Sequence, residues 1–245
     1  MNANHRLPRS NSGFTLTELA VVLVIVALLL GGLLAPLSAQ IDVRNTSDTR
    51  RALGEIREAL LGFAAANGRL PCPAPASTAS GANGAGIDPL VGTTLVACPS
   101  ESGVLPWATL GVAETDAWGH RYTYRVSAAF AQALPSGSKA AFQLSTQGTL
   151  DVYSAATGGA VVATGVPAVV VSHGANGFGA FTSDGVQLWV GDSNDEAENQ
   201  LTGGGSAMAN TTFVSRTRTP RFDDEVAWIS PGVLFNRMIT AGKLP

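Results

Sequence analysis

Near its N-terminus the chain carries an apolar stretch that is preceded by one carboxylate. From Leu19 to Leu37 the sequence has no charged residue, and Glu18 comes directly before this run. At about 1.5 Å of rise per residue, a helix over these residues nearly spans a hydrocarbon core about 30 Å thick. A carboxylate within a membrane costs roughly 2.5–3.5 kcal/mol, so it is normally there for a partner. The sequence therefore predicts a transmembrane segment over about residues 16–37, in which Glu18 has a function.

Two simpler interpretations of this stretch are a secretory signal peptide and a plain membrane anchor. A secretory signal has an apolar core of only about 7–15 residues, and a plain anchor gives no reason for Glu18. Arg6 and Arg9 precede the predicted transmembrane segment over about residues 16–37, and no acidic residue does. Because positive residues stay on the cytoplasmic side, we expect a cytoplasmic N-terminus and an exported C-terminal part.

Gly13, Phe14 and Glu18 belong to the pattern G-F-T-L-T-E in front of the apolar run. This pattern resembles the N-terminal signal of type IV pilins and type II secretion pseudopilins. The resemblance implies that prepilin peptidase cuts between Gly13 and Phe14, removes residues 1–13 as a leader peptide and methylates the new N-terminus of Phe14. It also implies that Glu18 neutralises the amine of a neighbouring subunit during filament assembly.

Helical periodicity continues beyond Pro36. Apolar residues recur on one face of the predicted helix, at Leu53, Ile56, Leu60 and Phe63. Gly68 then supplies a stop signal and Pro71 blocks continuation. We expect one long helix over residues 14–67. Its first half is embedded in the membrane or filament core, and its second half packs against a globular head.

The remaining part, residues 68–245, is expected to form a β-rich periplasmic or extracellular head. Only 13% of all residues are charged, and the chain has 28 glycines, which suits strands joined by turns. Alternating or continuous apolar runs predict strands over residues 122–127, 142–146, 149–153, 160–164, 168–172, 186–190 and 226–229. Ser230 and Pro231 are typical of the start of a short closing helix. The expected fold class is α+β and pilin-like, with a long N-terminal helix on a β-rich head.

Two segments of the head resemble the major pseudopilins of type II secretion. The first runs from Asp116 to Tyr124, with alanine where that family has proline, and a generic turn before a strand is its alternative. The second is the turn Ser172–Gly177, which follows a predicted buried strand. Ser172 and His173 are adjacent there, but successive side chains on a strand point to opposite faces, so they do not predict a nucleophile and its base.

The chain has two cysteines, Cys72 and Cys98. An even number in an exported domain favours a disulfide. The alternatives are two free thiols or half of a metal site. A zinc site is not favoured, because the exported part has only His120 and His173 and no Cys-x-x-Cys pair. On the chain-entropy model, the bridge stabilises the folded protein by roughly 3.5 kcal/mol.

Two acidic runs, residues 192–198 and 223–225, raise the question of a cation site. Clustered carboxylates and loop carbonyls are what Ca²⁺ requires, although the first run lacks the spacing of an EF-hand loop. The major pseudopilins carry a calcium site in a late loop that ends in an acidic pair. The resemblance implies Ca²⁺ as a cofactor at Asp223 and Asp224. The alternative is a solvated acidic loop.

Charge and motif content exclude other functions. The net charge is −3 with no basic block, so nucleic-acid binding is not indicated. The sequence has no phosphate-binding glycine motif and no nucleophile constellation, so we expect no enzymatic activity. We expect a structural subunit of a type IV pilus or type II secretion pseudopilus, and the large size of its head favours a minor subunit. Its expected partners are prepilin peptidase, other pilin subunits and the inner membrane. The alternative is a membrane-anchored periplasmic binding module.

Overall fold

The computed structural model describes residues 13–189, 194–201 and 211–245, without the side chains of residues 30–39. The chain divides into two compact units, Met1–Arg44 and Asn45–Pro245. The helices are α1 (Leu16–Asn67), α2 (Trp107–Leu110), α3 (Ala128–Ala131), α4 (Asn194–Ala197) and α5 (Pro231–Thr240). The strands are β1 (Ser102–Val104), β2 (Thr123–Val126), β3 (Leu150–Tyr153), β4 (Val161–Val166), β5 (Ala168–Ser172), β6 (Thr212–Val214) and β7 (Glu225–Ile229). This confirms the α+β class.

In the first unit, the described part of α1 is exposed along its whole length. Within the residues that the structure describes, no helix meets the length and hydropathy needed to cross a membrane. The predicted transmembrane segment over about residues 16–37 reaches into residues 30–39, whose side chains lie outside the description. That segment therefore stays a prediction.

In the second unit, the later turns of α1 pack on a four-stranded antiparallel sheet with the order β1-β2-β5-β7. Leu53, Ile56 and Leu60 are buried there, as their helical spacing predicts, while Phe63 is half-buried. They belong to one core with residues of the sheet and of α5, which include Tyr122, Tyr124, Val126, Val170, Leu234 and Met238. The predicted closing helix is α5, and it starts at Pro231.

A second, three-stranded sheet has the order β4-β3-β6, in which β3 and β6 run parallel. Its buried residues form a separate cluster with Val169 and Val171 of β5. Ala168 and Val170 of the same strand belong to the core beside α1. Since successive side chains of a strand point to opposite faces, β5 is buried on both sides. The continuous apolar run therefore forms an interior strand, as predicted.

Two predicted strands are wrong. Residues 142–146 form bends and turns, and Phe142 instead packs its ring 4.7 Å from that of Phe130. Residues 186–189 form only an isolated bridge at Gln187, and Val190 lies outside the described residues. Gln147 and Gly148, between the predicted strands over 142–146 and 149–153, also predict a tight hairpin from the sequence. The described residues form no such hairpin, because 142–146 is not a strand, and Gly148 instead donates its N–H to the Gly165 carbonyl at 3.2 Å.

The connector over residues 71–106 is held by a disulfide and by one arginine. Cys72 and Cys98 are bonded, which confirms the predicted pair. Arg121 is fully buried, and its guanidinium lies 4.7 Å from the Trp107 ring centroid. It donates hydrogen bonds to Glu114 Oε1 and to oxygens of Ala76, Thr78, Ser80 and Ser183 at 2.8–3.0 Å. Distant loops are thus joined at one cation whose donors are satisfied.

Candidate functional site

The start of α1 is capped by the residue that the sequence marked as unusual. Thr15 precedes the first helical residue, and its N–H donates to Glu18 Oε2 at 2.8 Å. In return, the Glu18 N–H donates to Thr15 Oγ1 at 3.3 Å. This reciprocal pair is a capping box, which satisfies backbone donors that a helix start leaves free. Glu18 therefore has a local structural role that its position in an apolar run did not predict, although the T-x-x-E spacing signals it.

The predicted processing site lies just before this cap. Gly13 and Phe14 are in non-helical, exposed backbone, and the Phe14 side chain is 88% exposed. A Cβ placed on Gly13 would meet no described atom within 4 Å. Among the residues that the structure describes, none packs against Gly13, so the predicted cleavage site stays a prediction with which the described structure is compatible.

The described apolar side chains that follow, over residues 16–29, are largely exposed in the single chain. Leu16, Leu23 and Leu28 are 60–85% exposed. The other exposed apolar residues on this part of the helix are Leu19, Val21, Val22, Val24, Ile25, Val26 and Leu29. A continuous apolar surface of this kind marks a membrane or a protein–protein contact.

A second group of carboxylates is buried in the second unit. Glu196 from α4 meets Asp223 and Asp224, which come directly before β7. One carboxylate oxygen from each lies within 4.8 Å of the others. Their exposures are 0%, 9% and 3%. We call these three residues the acidic cluster. It contains both residues that were predicted for calcium and adds Glu196.

The turn after β5 holds the acidic cluster in place. Asn176 donates its N–H to Asp223 Oδ2 at 3.0 Å and its side-chain amide to Glu196 Oε1 at 2.8 Å. Gly174 has φ +59°, and a Cβ on it would lie 2.4 Å from the Asp223 carbonyl oxygen. Glycine is therefore required at this close approach. The Ser172–Gly177 segment is a turn, as predicted, and it cradles the cluster.

Among the residues that the structure describes, three oxygens of the acidic cluster have no hydrogen-bond partner: Glu196 Oε2, Asp223 Oδ1 and Asp224 Oδ1. Burial raises the pKa of Asp224 well above its ordinary value, and the charges of Glu196 and Asp223 raise it further. Burial also raises the pKa of the Glu196 carboxyl. Leaving buried carboxylates without compensation is costly. A hard cation that prefers oxygen ligands, such as Ca²⁺, fits these residues.

His173 does not supply the missing positive charge. Its Nδ1 lies 3.8 Å from Asp224 Oδ1, while its Nε2 is 2.7 Å from Thr123 Oγ1. Burial, together with the nearby His120, lowers the pKa of His173 to about 3, so the ring is neutral near pH 7. Ser172 donates its hydroxyl to Asp116 Oδ2 at 2.6 Å rather than to His173. The adjacent Ser and His therefore serve different partners.

The other acidic residues of the predicted runs have separate roles. Asp195 pairs with Arg216 and accepts the Ala156 N–H at 2.8 Å. Glu225 forms a two-point ion pair with Arg50 of α1, at 2.8 and 2.9 Å. Asp192 lies outside the described residues. Sequence spacing alone did not identify Glu196 as a member of the acidic cluster, because the cluster joins residues that are distant along the chain.

Comparisons with known proteins identify the N-terminal region. Residues 8–34 match the family described as the prokaryotic N-terminal methylation motif, the signal of type IV pilins and pseudopilins. The motif indicates a type IV pilin-like or pseudopilin substrate of prepilin peptidase, and it implies assembly with other pilin subunits. It is typical of a membrane-anchored pilin precursor.

No curated protein and no solved structure matches the chain. The family match ends at residue 34. The likeness of the head to the major pseudopilins is therefore still a prediction.

Proposed function

We propose that this chain is a structural, non-catalytic subunit of a type IV pilus or type II secretion pseudopilus. The observation that carries the proposal is the methylation motif at residues 8–34, which includes the start of α1 and the exposed apolar side chains over residues 16–29. Prepilin peptidase removes residues 1–13 and methylates the amine of Phe14. The precursor is held in the inner membrane by residues 16–37, and the C-terminal part lies in the periplasm or on a cell-surface filament.

Assembly is driven by burial of the exposed apolar side chains of α1. Each fully buried Val, Leu or Ile side chain contributes about 1.5–3 kcal/mol relative to its exposed state. Such burial is non-directional, so it does not define where one helix sits along another. Glu18 supplies that register, because an unpaired carboxylate in the apolar contact is costly until it meets the amine of a neighbouring subunit.

The capping contacts make this role of Glu18 compatible with a single folded chain. They use one carboxylate oxygen, Oε2, for the Thr15 N–H and hydroxyl. Cleavage after Gly13 creates a positive amine one residue before Thr15, and a neighbouring subunit brings a second one. The same carboxylate thus begins the helix in the monomer and neutralises an amine in the filament.

Production in cells with and without prepilin peptidase tests the proposal. With the peptidase, we expect the chain to lose 13 residues and to be recovered with sheared filaments or pseudopili. Without it, the precursor should remain in the membrane fraction. Recovery of the full-length chain in both strains, with none in filaments, would favour the alternative, a membrane-anchored periplasmic binding module.

The acidic cluster supports a second candidate function, which is binding of a structural Ca²⁺. The favouring observation is the set of three buried carboxylate oxygens that find no hydrogen-bond partner in the ranges 13–189, 194–201 and 211–245. Glu196, Asp223 and Asp224 would hold the ion, and the ion would supply positive charge that the buried carboxylates lack. Because the cluster joins α4, the turn after β5 and the start of β7, bound Ca²⁺ would stabilise the second unit.

A further inference from the structure

Arg218 lies beside the acidic cluster and contacts three separate parts of the second unit. Its Nη2 is 3.9 Å from Asp223 Oδ2, and its guanidinium lies 5.6 Å from the Trp118 ring centroid. Its Nη1 donates to the hydroxyl of Thr46 on α1. The Arg218 side chain is 27% exposed, so its charge is only partly screened by water.

The two oxygens of the Asp223 carboxylate have different surroundings. Oδ2 accepts the Asn176 N–H and faces Arg218. Oδ1 has no hydrogen-bond partner within the described part of the chain, and Asp223 contributes to the acidic cluster with Glu196 and Asp224. A guanidinium and a bound cation would therefore share one carboxylate. The two positive charges would oppose each other across it.

We propose that Arg218 sets the affinity of the acidic cluster for a divalent cation. It stabilises Asp223 when the cation is absent and opposes the cation when it binds. This inference rests on the proposed cation binding, but it makes a separate statement about one arginine. In this role Arg218 is a positioning and affinity-setting residue, and it is not a ligand.

Two neighbouring arginines make this assignment specific. Arg216 pairs with Asp195, which lies outside the acidic cluster. Arg221 is exposed, and among the described residues its side chain forms no ion pair. Arg221 occupies the same segment as Arg218 and carries the same charge. Its replacement is therefore the matched control for a change of net charge near the cluster.

The test is calorimetric titration of CaCl₂ into the full-length protein in detergent, for wild type and for Arg218→Gln, Arg218→Lys and Arg221→Gln. We expect Arg218→Gln to bind Ca²⁺ roughly tenfold more tightly, because one opposing charge is removed from a partly exposed position. Arg218→Lys keeps the charge and should bind as the wild type does. Arg221→Gln should change the affinity by less than about twofold, because an exposed charge is largely screened.

Thermal melts with a chelator give a second readout that does not require a measurable affinity. Without Ca²⁺, Arg218→Gln should melt below the wild type, because Asp223 has lost its counter-charge. With saturating Ca²⁺, the variant should show the larger gain in melting temperature. Arg221→Gln should show neither change.

The outcomes separate the two proposals. Ca²⁺ binding that is detected for Arg218→Gln but not for wild type, or that is tighter for Arg218→Gln than for wild type, supports the role of Arg218. Equal or weaker binding by Arg218→Gln, with normal binding by wild type, overturns this inference and leaves Ca²⁺ binding in place. No Ca²⁺ binding by any of the four proteins overturns both. An equal gain for Arg221→Gln would mean that net charge, and not Arg218, sets the affinity.

Discussion

The two units of the chain differ in where their apolar and acidic side chains lie, exposed in the first unit and buried in the second. In the first unit, apolar side chains and the Glu18 carboxylate are exposed, and the helix start is satisfied by a local cap. In the second unit, the apolar residues form two cores, and the Glu196, Asp223 and Asp224 carboxylates are buried together. The described part of the first unit therefore has an accessible apolar surface and an accessible carboxylate, which the proposed assembly requires. The second unit encloses carboxyl groups, and burial raises the pKa values of two of them, Glu196 and Asp224.

This difference predicts that a substitution in the first unit alters filament assembly, that a substitution in the second unit alters thermal stability, and that neither alters both. Changes at Glu18 should alter assembly and leave the melting of the second unit unchanged. Changes at the disulfide or the acidic cluster should alter melting and leave peptidase processing unchanged. A single substitution that altered both filament assembly and the melting of the second unit would contradict this division.

The largest effect is expected for Glu18→Val. Loss of the carboxylate leaves a neighbouring amine unpaired in an apolar contact, which costs about 3–5 kcal/mol for a buried pair. We expect filament incorporation to fall by about a hundredfold or more, while cleavage after Gly13 continues. Quantitative immunoblotting of sheared filaments against total protein is the measurement.

Glu18→Gln is the matched variant, because glutamine at this position preserves a capping box but carries no charge. We expect it to assemble as poorly as Glu18→Val. Normal incorporation of the glutamine variant would show that Glu18 acts only as a helix cap.

The next effect in size concerns the disulfide. Replacing Cys72 and Cys98 by serine should destabilise the second unit by roughly 3.5 kcal/mol. This corresponds to a fall in melting temperature of about 7–14 °C for a domain of this size. Differential scanning calorimetry of the full-length protein in detergent measures it, and thiol alkylation before and after reduction verifies the bridge. If both cysteines are labelled in the unreduced native protein, the bridge does not form.

Calcium should have a somewhat smaller effect on the same unit. At a free concentration 100 times its dissociation constant, Ca²⁺ should add about 2.7 kcal/mol of stability. Magnesium should add much less, because it prefers a small octahedral shell with several waters. Asp223→Ala with Asp224→Ala should remove the response in thermal melts, while Asp195→Ala should keep it. A melt that is indifferent to Ca²⁺ and to chelator would contradict the site.

The smallest effect is expected for Thr15→Ala. It removes the hydroxyl that caps the Glu18 N–H, at a cost of about 1 kcal/mol to the helix start. Faster hydrogen exchange at residues 16–18 should show the change, with incorporation into filaments within about twofold of wild type. Loss of incorporation equal to that of Glu18→Gln would assign the assembly role to the cap.

Burial could be predicted from the sequence where an apolar pattern repeats along one continuous helix or strand. The spacing of Leu53, Ile56 and Leu60 predicted the buried face of α1, and the valine run predicted β5 as an interior strand. The short strands β1 and β6 were missed. Each has three residues, and such strands depend on their partners more than on local propensity.

Contacts between segments that are distant along the chain could not be predicted from the sequence either. Glu196 meets Asp223 only because α4 contacts both the segment before β7 and the turn after β5 in the fold. The acceptors of Arg121 come from loops that share no periodic pattern. In contrast, the cap at Thr15 was readable as T-x-x-E and was passed over because the charge of Glu18 suggested a partner in another subunit.

The central claim is that the chain is processed as a prepilin-type subunit. Mass spectrometry of the N-terminal peptide, from protein purified from cells with prepilin peptidase, tests it most directly. The account predicts a mature chain that starts at Phe14 with one methyl group on its amine. An N-terminus at Met1, or one created by a cut near residues 35–39, would contradict it.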